Sequence, residues 1–201
     1  MRHSGSRPAA EIRRLPDQVW LKELPTGTPE AAVFGMDDVT LGPATLATAG
    51  TLLLAGPPGS GRTTALDTLA AATAASAPGL KRVFLSARRS ALSQRPGWLA
   101  TAEGAPKVAE LADRLATELE ATPMPIALFI EHLTEFASGE AEFALDRLIK
   151  AVVRAEGLVV GEAETSTWSQ AWTLAQPFKA GRRGLLLAPG EMDGDSLLGT
   201  P

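Results

Sequence analysis

The stretch Gly56-Pro57-Pro58-Gly59-Ser60-Gly61-Arg62-Thr63-Thr64, set between the apolar run Thr51 to Ala55 and a helix-period segment opening at Arg62, decides the reading of this chain. It matches the phosphate-binding loop pattern at every fixed position except the lysine, which is Arg62. Such a loop needs glycines so that the backbone can curl and aim successive amides at phosphate oxygens. It also needs a helix N-terminus, whose partial positive charge favours an anion. A Pro-Gly turn that merely joins a strand to a helix explains the glycines but not Thr63 and Thr64.

In a working loop the lysine reaches the terminal phosphates as a compact charge, and the hydroxyl at the next position, here Thr63, holds magnesium. Arg62 is longer and planar, and is not an equivalent replacement. An acid at the end of a neighbouring apolar strand helps hold the metal, and a following glutamate often polarises the attacking water. That place reads Ile130-Glu131-His132. Glu131 carries the acid one methylene further out, and neutral His132 either accepts a proton in the glutamate's place, without copying a carboxylate's field, or is a partly buried histidine satisfied by a carbonyl.

Outward from the loop, apolar runs alternate with helix-period segments. Helices are expected from about Arg62 to Ala77, stopped by Pro78 and Gly79; from Lys107 to Ala121, with Glu110 and Arg114 placed to pair; and from about Glu140 to Glu156, with Ser138 as N-cap. A shorter helix is expected near Thr167 to Gln176. Its Trp168 and Trp172 lie one turn apart, a spacing that favours core packing over a base-stacking pair. Strands are expected at Thr51 to Ala55, Arg82 to Ser86, Ile126 to Ile130, Leu158 to Gly161 and Gly184 to Ala188. Five such strands separated by helices predict a mostly parallel sheet covered on both faces, an α/β fold.

Residues 7–48 read as a leader with short extended segments at Val19 to Leu24, Ala31 to Gly35 and Val39 to Leu46. Met1 to Ser6 has the look of an appended leader, and residues 189–201 form a polar tail. One domain from 7 to 201 is expected for 201 residues. In the tail, Asp193-Gly194-Asp195 is faintly similar to a calcium loop, but no bidentate glutamate follows and a plain turn is the expectation.

Other polar groups fall where α/β sheets bind ligands. Glu162, Glu164 and Thr165 follow the fourth strand, and either sense a terminal phosphate or cap the next turn. Arg88-Arg89, Lys179 and Arg182-Arg183 are either solvated surface charge or a finger reaching a neighbouring subunit's nucleotide.

Composition removes several classes of function. Cysteine is absent, which excludes disulfides, zinc ribbons and thiol catalysis; two histidines, His3 and His132, do not make an all-histidine metal site. The net charge of −4 is too small to attract nucleic acid in bulk. No apolar stretch approaches the ~18 residues of a membrane span. A small-molecule kinase shares the loop, but the segment Ser90 to Pro106 is a weak lid.

The runs LPDQVWLKELP (15–25), GMDDVTLGPATL (35–46), LLLAGPPGSGRTTAL (52–66) and TSTWSQAWTLAQPFKAGRRGLLLAP (165–189) together resemble the C-terminal ATPase modules of FtsK/SpoIIIE-type proteins. The likeness runs from about Ile12 to the C-terminus. It looks most like the degenerate modules related to the membrane-anchored coupling ATPases of type VII secretion. The resemblance implies a RecA-like P-loop sheet, ATP with Mg2+ as ligand, and tandem or ring neighbours of the same type. DNA or secreted protein cargo would be met only through the parent assembly, on the cytoplasmic side and without direct membrane contact. By position, Gly56 to Thr64 would cradle phosphate and Glu131 would stand as the strand-end acid. The departures Arg62, Glu131 and His132 weigh against turnover, which leaves two expectations: an ATP-binding module with weak or absent hydrolysis, or a non-catalytic P-loop-fold module for cargo capture or ring assembly. DGDSLLGTP (193–201) normally leads into a closing strand, so the chain is similar to a piece of a longer protein whose anchor lies elsewhere.

Overall fold

The computed structural model describes residues 14–199, so the six-residue leader and His3 lie outside the described residues. Thirteen strands and helices are labelled in chain order. They are β1 (Ala31–Met36), β2 (Pro43–Ala47), β3 (Gly50–Gly56), α1 (Arg62–Ser76), β4 (Lys81–Ser86), β5 (Ala100–Glu103), α2 (Ala105–Ala121), β6 (Ile126–Glu131), α3 (Glu142–Arg154), β7 (Leu158–Glu164), α4 (Trp172–Gly181), β8 (Gly184–Leu186) and α5 (Asp193–Leu198).

Six strands form one sheet in the order β5-β4-β6-β7-β3-β8, and every neighbouring pair is parallel. The fold is the α/β class that the alternation of apolar strands and helices predicts, with the mostly parallel RecA-like sheet that the resemblance implies. The chain reaches the loop from β3, flanked by β7 and β8, so the loop sits at the carboxyl edge of the sheet's interior.

Period-two alternation divides the strands' side chains between two cores. Leu53, Ala55, Val83, Leu85, Leu128, Ile130 and Val159 face α2, α3 and α4, whose buried faces include Leu115, Leu148 and Phe178. Leu52, Leu54, Phe84, Phe129 and Val160 face the other way and pack with Leu66 and Leu69 of α1. There Trp98 covers Phe84 and Phe129, with ring centroids 5.3 and 5.7 Å away. The hairpin of β1 and β2 is antiparallel, with a register shift between Val33 and Gly35, and Leu46 of β2 joins the α1-side core.

Several expectations need correction. A sixth strand, β5, lies within the segment read as a loop, paired with β4 from Val83–Ala100 to Ser86–Glu103. As an edge strand of four residues, ATAE, it carries no apolar run and shows no periodic signal. Val19 to Leu24 is not extended: Leu21–Glu23 is a 3-10 turn in which Trp20 N–H donates to the Glu23 carboxylate, 3.1 Å away. Ser138 does not cap α3. The helix starts after Ala141, and Ser138, at φ +58°, donates its backbone N–H to the Glu142 side chain. Arg114 stands 3.9 Å from Glu118 in place of the expected Glu110 pair. Asp193 and Asp195 lie in the first turn of the short helix α5, where acidic groups favour the helix N-terminus, and not in a plain turn.

Trp168 and Trp172 do not share a buried face. Thr165–Thr167 form a 3-10 turn, the chain redirects, and α4 starts only at Trp172. Trp168 is fully buried, edge-on to Phe178 at 5.5 Å, while Trp172 is 73% exposed. Helix α4 runs through Pro177, whose carbonyl accepts a hydrogen bond from Thr51 of β3 at 3.1 Å.

Candidate phosphate-binding site

Backbone conformation at the loop follows from its glycines. Gly59 has φ +78° and Gly61 φ +93°, the left-handed region that L side chains rarely enter. A Cβ at either would meet nothing within 4 Å, so these two glycines serve backbone conformation and leave open space over the loop. Gly56 is different in kind: a Cβ there would lie 2.4 Å from Ser60 Oγ and 2.9 Å from the Leu187 carbonyl, so close packing of loop on strand demands glycine. Gly61 is the N-cap of α1 and makes no side-chain cap. The orphan amides of the first turn therefore face the loop's open side.

Behind the loop, β6 ends in a buried carboxylate, Glu131, and β7 carries another, Glu162, two residues before its end. Glu131 is 2% exposed and Glu162 is 1% exposed. Glu131 accepts hydrogen bonds from Thr63 Oγ1 at 3.0 Å and from Ser86 Oγ at 3.2 Å; Ser86 is its register partner on β4. The structure thus brings together the loop hydroxyl and the strand-end acid read from sequence as the magnesium pair.

Arg62 does not extend into the space over the loop. Its Nε donates to Oε1 of Glu162, and its Nη1 donates to the Gly56 carbonyl at 2.5 Å. The Arg62 side chain is 15% exposed. The second oxygen of Glu162 accepts the His132 backbone N–H at 2.9 Å. His132 itself adopts φ +57°, and its Nδ1 stands 3.8 Å from carboxylate oxygens of both Glu135 and Glu162.

Glu162 was one of three polar candidates at this strand end, and its role as the arginine's partner was not legible in the sequence. The signal available was an acid inside an apolar strand, Leu-Val-Val-Gly-Glu-Ala-Glu, with a second acid two residues on. The other two candidates act locally. Glu164 accepts from Ser166 Oγ at 2.8 Å and its carbonyl accepts from Thr167 Oγ1, and Thr165 opens the 3-10 turn.

The basic candidates separate as well. Arg183 donates to the carbonyls of Ala49 at 2.7 Å and Ala47 at 3.1 Å, and burial holds its guanidinium below the usual arginine range. It is a structural clasp between β8 and the turn joining β2 to β3, not a finger. Arg88 pairs with Glu135 at 2.8 Å on the surface, Arg89 and Arg182 are exposed, and Lys179 is half-buried.

These residues fit a nucleotide's phosphates and a magnesium ion. The observation is the open space above Gly59 and Gly61, with an uncapped helix start and a hydroxyl-acid pair beside it. Thr63 and Glu131 would hold the ion, directly or through water, and the loop amides the phosphates. No group of three or more His, Cys, Asp or Glu among the described residues is placed to hold a metal, so the ion's other oxygens would come from phosphate and water.

A parallel sheet with a glycine-rich loop after an inner strand and an acid at the end of another defines a P-loop NTPase-like domain. No family model matches the sequence, and no curated protein matches it. Solved structures do. ATPases 2 and 3 of Thermomonospora curvata EccC, in complex with a signal sequence peptide, superpose with a TM-score of 0.77 at 19% identity, covering 99% of this chain and 41% of that one. The cytoplasmic domain of the Thermomonospora curvata type VII secretion ATPase EccC gives 0.74 at 18% identity over 91% of this chain and 25% of that one. The cytoplasmic domain of EssC gives 0.70 at 13%, covering 90% and 41%. The chain therefore has the fold of the cytoplasmic ATPase domains of EccC and EssC, and spans between 25% and 41% of the length of these structures.

Proposed function

We propose that this chain is an ATP-binding module of an FtsK/SpoIIIE-like, type VII secretion-like ATPase, with weak affinity for magnesium nucleotide and little or no hydrolysis of its own. The observation that supports the reading is the pairing of Thr63 with Glu131 beside an open glycine loop, while Arg62 is engaged elsewhere. Stabilising charge on the transferring phosphoryl group depends on a cation aimed at it, and positioning water depends on a polar group that His132 replaces. The module works beside others of its type, on the cytoplasmic side of a membrane-anchored parent. Cargo, whether DNA or secreted protein, is met through that assembly. Among the described residues no helix is long and apolar enough to cross a membrane.

Titration of the domain with ATP, with and without magnesium, tests the proposal. Weak, magnesium-dependent binding and no measurable phosphate release are expected. Turnover near one per second, abolished by Glu131→Ala, would overturn the non-hydrolytic part. Tight binding that survives both Thr63→Ala and Gly61→Val would overturn the site.

A further inference from the structure

Arg62 and Glu162 are 100 residues apart in sequence and form a desolvated ion pair at the mouth of the loop. Both oxygens of Glu162 and two nitrogens of Arg62 are used. Glu162 takes Arg62 on one oxygen and the His132 amide on the other, and Arg62 also grips the Gly56 carbonyl. Removing the cation from a carboxylate this buried leaves an uncompensated charge, which is costly. A planar guanidinium suits this two-point grip, whereas a lysine ammonium would be a single point charge.

The position of the pair gives it a consequence for ligand choice. Strand β7 lies between β3, which carries the loop, and β6, which carries Glu131. Phosphates held by loop amides and the α1 N-terminus do not need Arg62. A terminal third phosphate does need a cation, and it would lie toward the strand-end acid, since Thr63 and Glu131 would hold the ion that neutralises it. On that side the chain presents two buried carboxylates, Glu131 and Glu162, and an arginine already neutralised by one of them.

From this geometry we infer that Glu162 is a specificity-determining residue: by holding Arg62 against the Gly56 carbonyl it makes the loop a site for nucleoside diphosphate in preference to triphosphate. The inference rests on the nucleotide-binding reading above and deepens it.

The test is calorimetric titration of the whole chain with Mg-ADP and Mg-ATP, in the wild type and in Glu162→Gln and Arg62→Lys. Glu162→Gln keeps the volume and removes the charge, freeing Arg62. Arg62→Lys cannot bridge both partners. The wild type is expected to bind ADP at least as tightly as ATP. Both variants should tighten ATP by about tenfold or more while moving ADP by less than about threefold. Thermal melting followed by circular dichroism reports folding, and if Glu162→Gln does not fold, Glu162→Asp, whose shorter carboxylate reaches Arg62 less well, takes its place, because Arg62→Lys by itself also supplies the compact charge of a working loop. A wild type that prefers ATP by tenfold, or an ATP-to-ADP ratio that neither folded variant moves, overturns the role of Glu162 and leaves nucleotide binding standing. No binding of either nucleotide to any of the three proteins at millimolar concentration overturns the nucleotide reading itself, and this inference with it.

Discussion

Arg62 and Thr63 are adjacent in the chain, yet the first turn of α1 sends them to different carboxylates, Glu162 and Glu131. The hydroxyl keeps the place that a metal-binding residue needs, and the cation leaves the place that a phosphate-binding one needs. Thr63→Ala is therefore expected to weaken Mg-ATP binding by about tenfold, about 1.4 kcal/mol, while leaving any metal-free binding unchanged. Titrations in magnesium and in a chelator check both halves. Glycine requirements at this scale also differ by cause. Gly61→Ala forces an L side chain into the left-handed region at a cost of about 1 kcal/mol. Gly56→Ala instead drives a methyl into Ser60 and the Leu187 carbonyl, and should displace the loop.

At the scale of elements, the buried strands and long helices were legible because their signals are local. The continuous apolar runs of β3, β4 and β6, and the single apolar face of α2 with Val108, Leu111, Ala112, Leu115 and Leu119, are written in the sequence alone. Strand β5 was not legible, because an edge strand of four residues is held by its hydrogen bonds to β4 and not by an apolar pattern. The two tryptophans before and at the start of α4 make the point with a measurable difference. Trp168 fills space against Phe178, so Trp168→Ala should cost about 3–5 kcal/mol, whereas Trp172→Ala, at an exposed position, should stay within about 0.5 kcal/mol. Trp168 Nε1 is buried without a hydrogen-bond partner among the described residues, so Trp168→Phe loses area but also removes an unpaired donor. It should cost well under half as much as Trp168→Ala. Denaturant melts of the three variants check the order.

Across the whole molecule, the carboxyl edge of the sheet is where the loop, both buried acids and His132 converge, and it is open on one side. An open site of this kind gains water exclusion and charge from a neighbour, which suits a module in a tandem or ring. Arg182 is exposed and free to serve such a contact, whereas Arg183 is engaged with the backbone of Ala47 and Ala49. Arg183→Ala is thus expected to lower the domain's melting temperature by several degrees, and Arg182→Ala to leave it unchanged while reducing the assembly with modules of its type proposed above. Melting curves and co-purification separate the two. With a net charge of −4, the single domain should show no appreciable affinity for duplex DNA at physiological salt, a point that a filter-binding titration over salt concentration decides.

What the sequence by itself determined is the set of features whose cause is local. These are the glycines at Gly59 and Gly61 that a curled backbone needs, the unbroken apolar strands, the helix that starts at Arg62, and the acid at the end of β6. From these the α/β class and the glycine-rich loop between β3 and α1 follow. Tertiary structure alone decided which partner each polar group found. That Arg62 turns to Glu162 on β7, that Arg183 clasps a turn more than a hundred residues earlier, and that Trp168 is inside while Trp172 is outside all depend on strand order. Spacing along the chain carries periodicity, but a buried ion pair is chosen by what the folded sheet places within reach, and no short-range pattern encodes it.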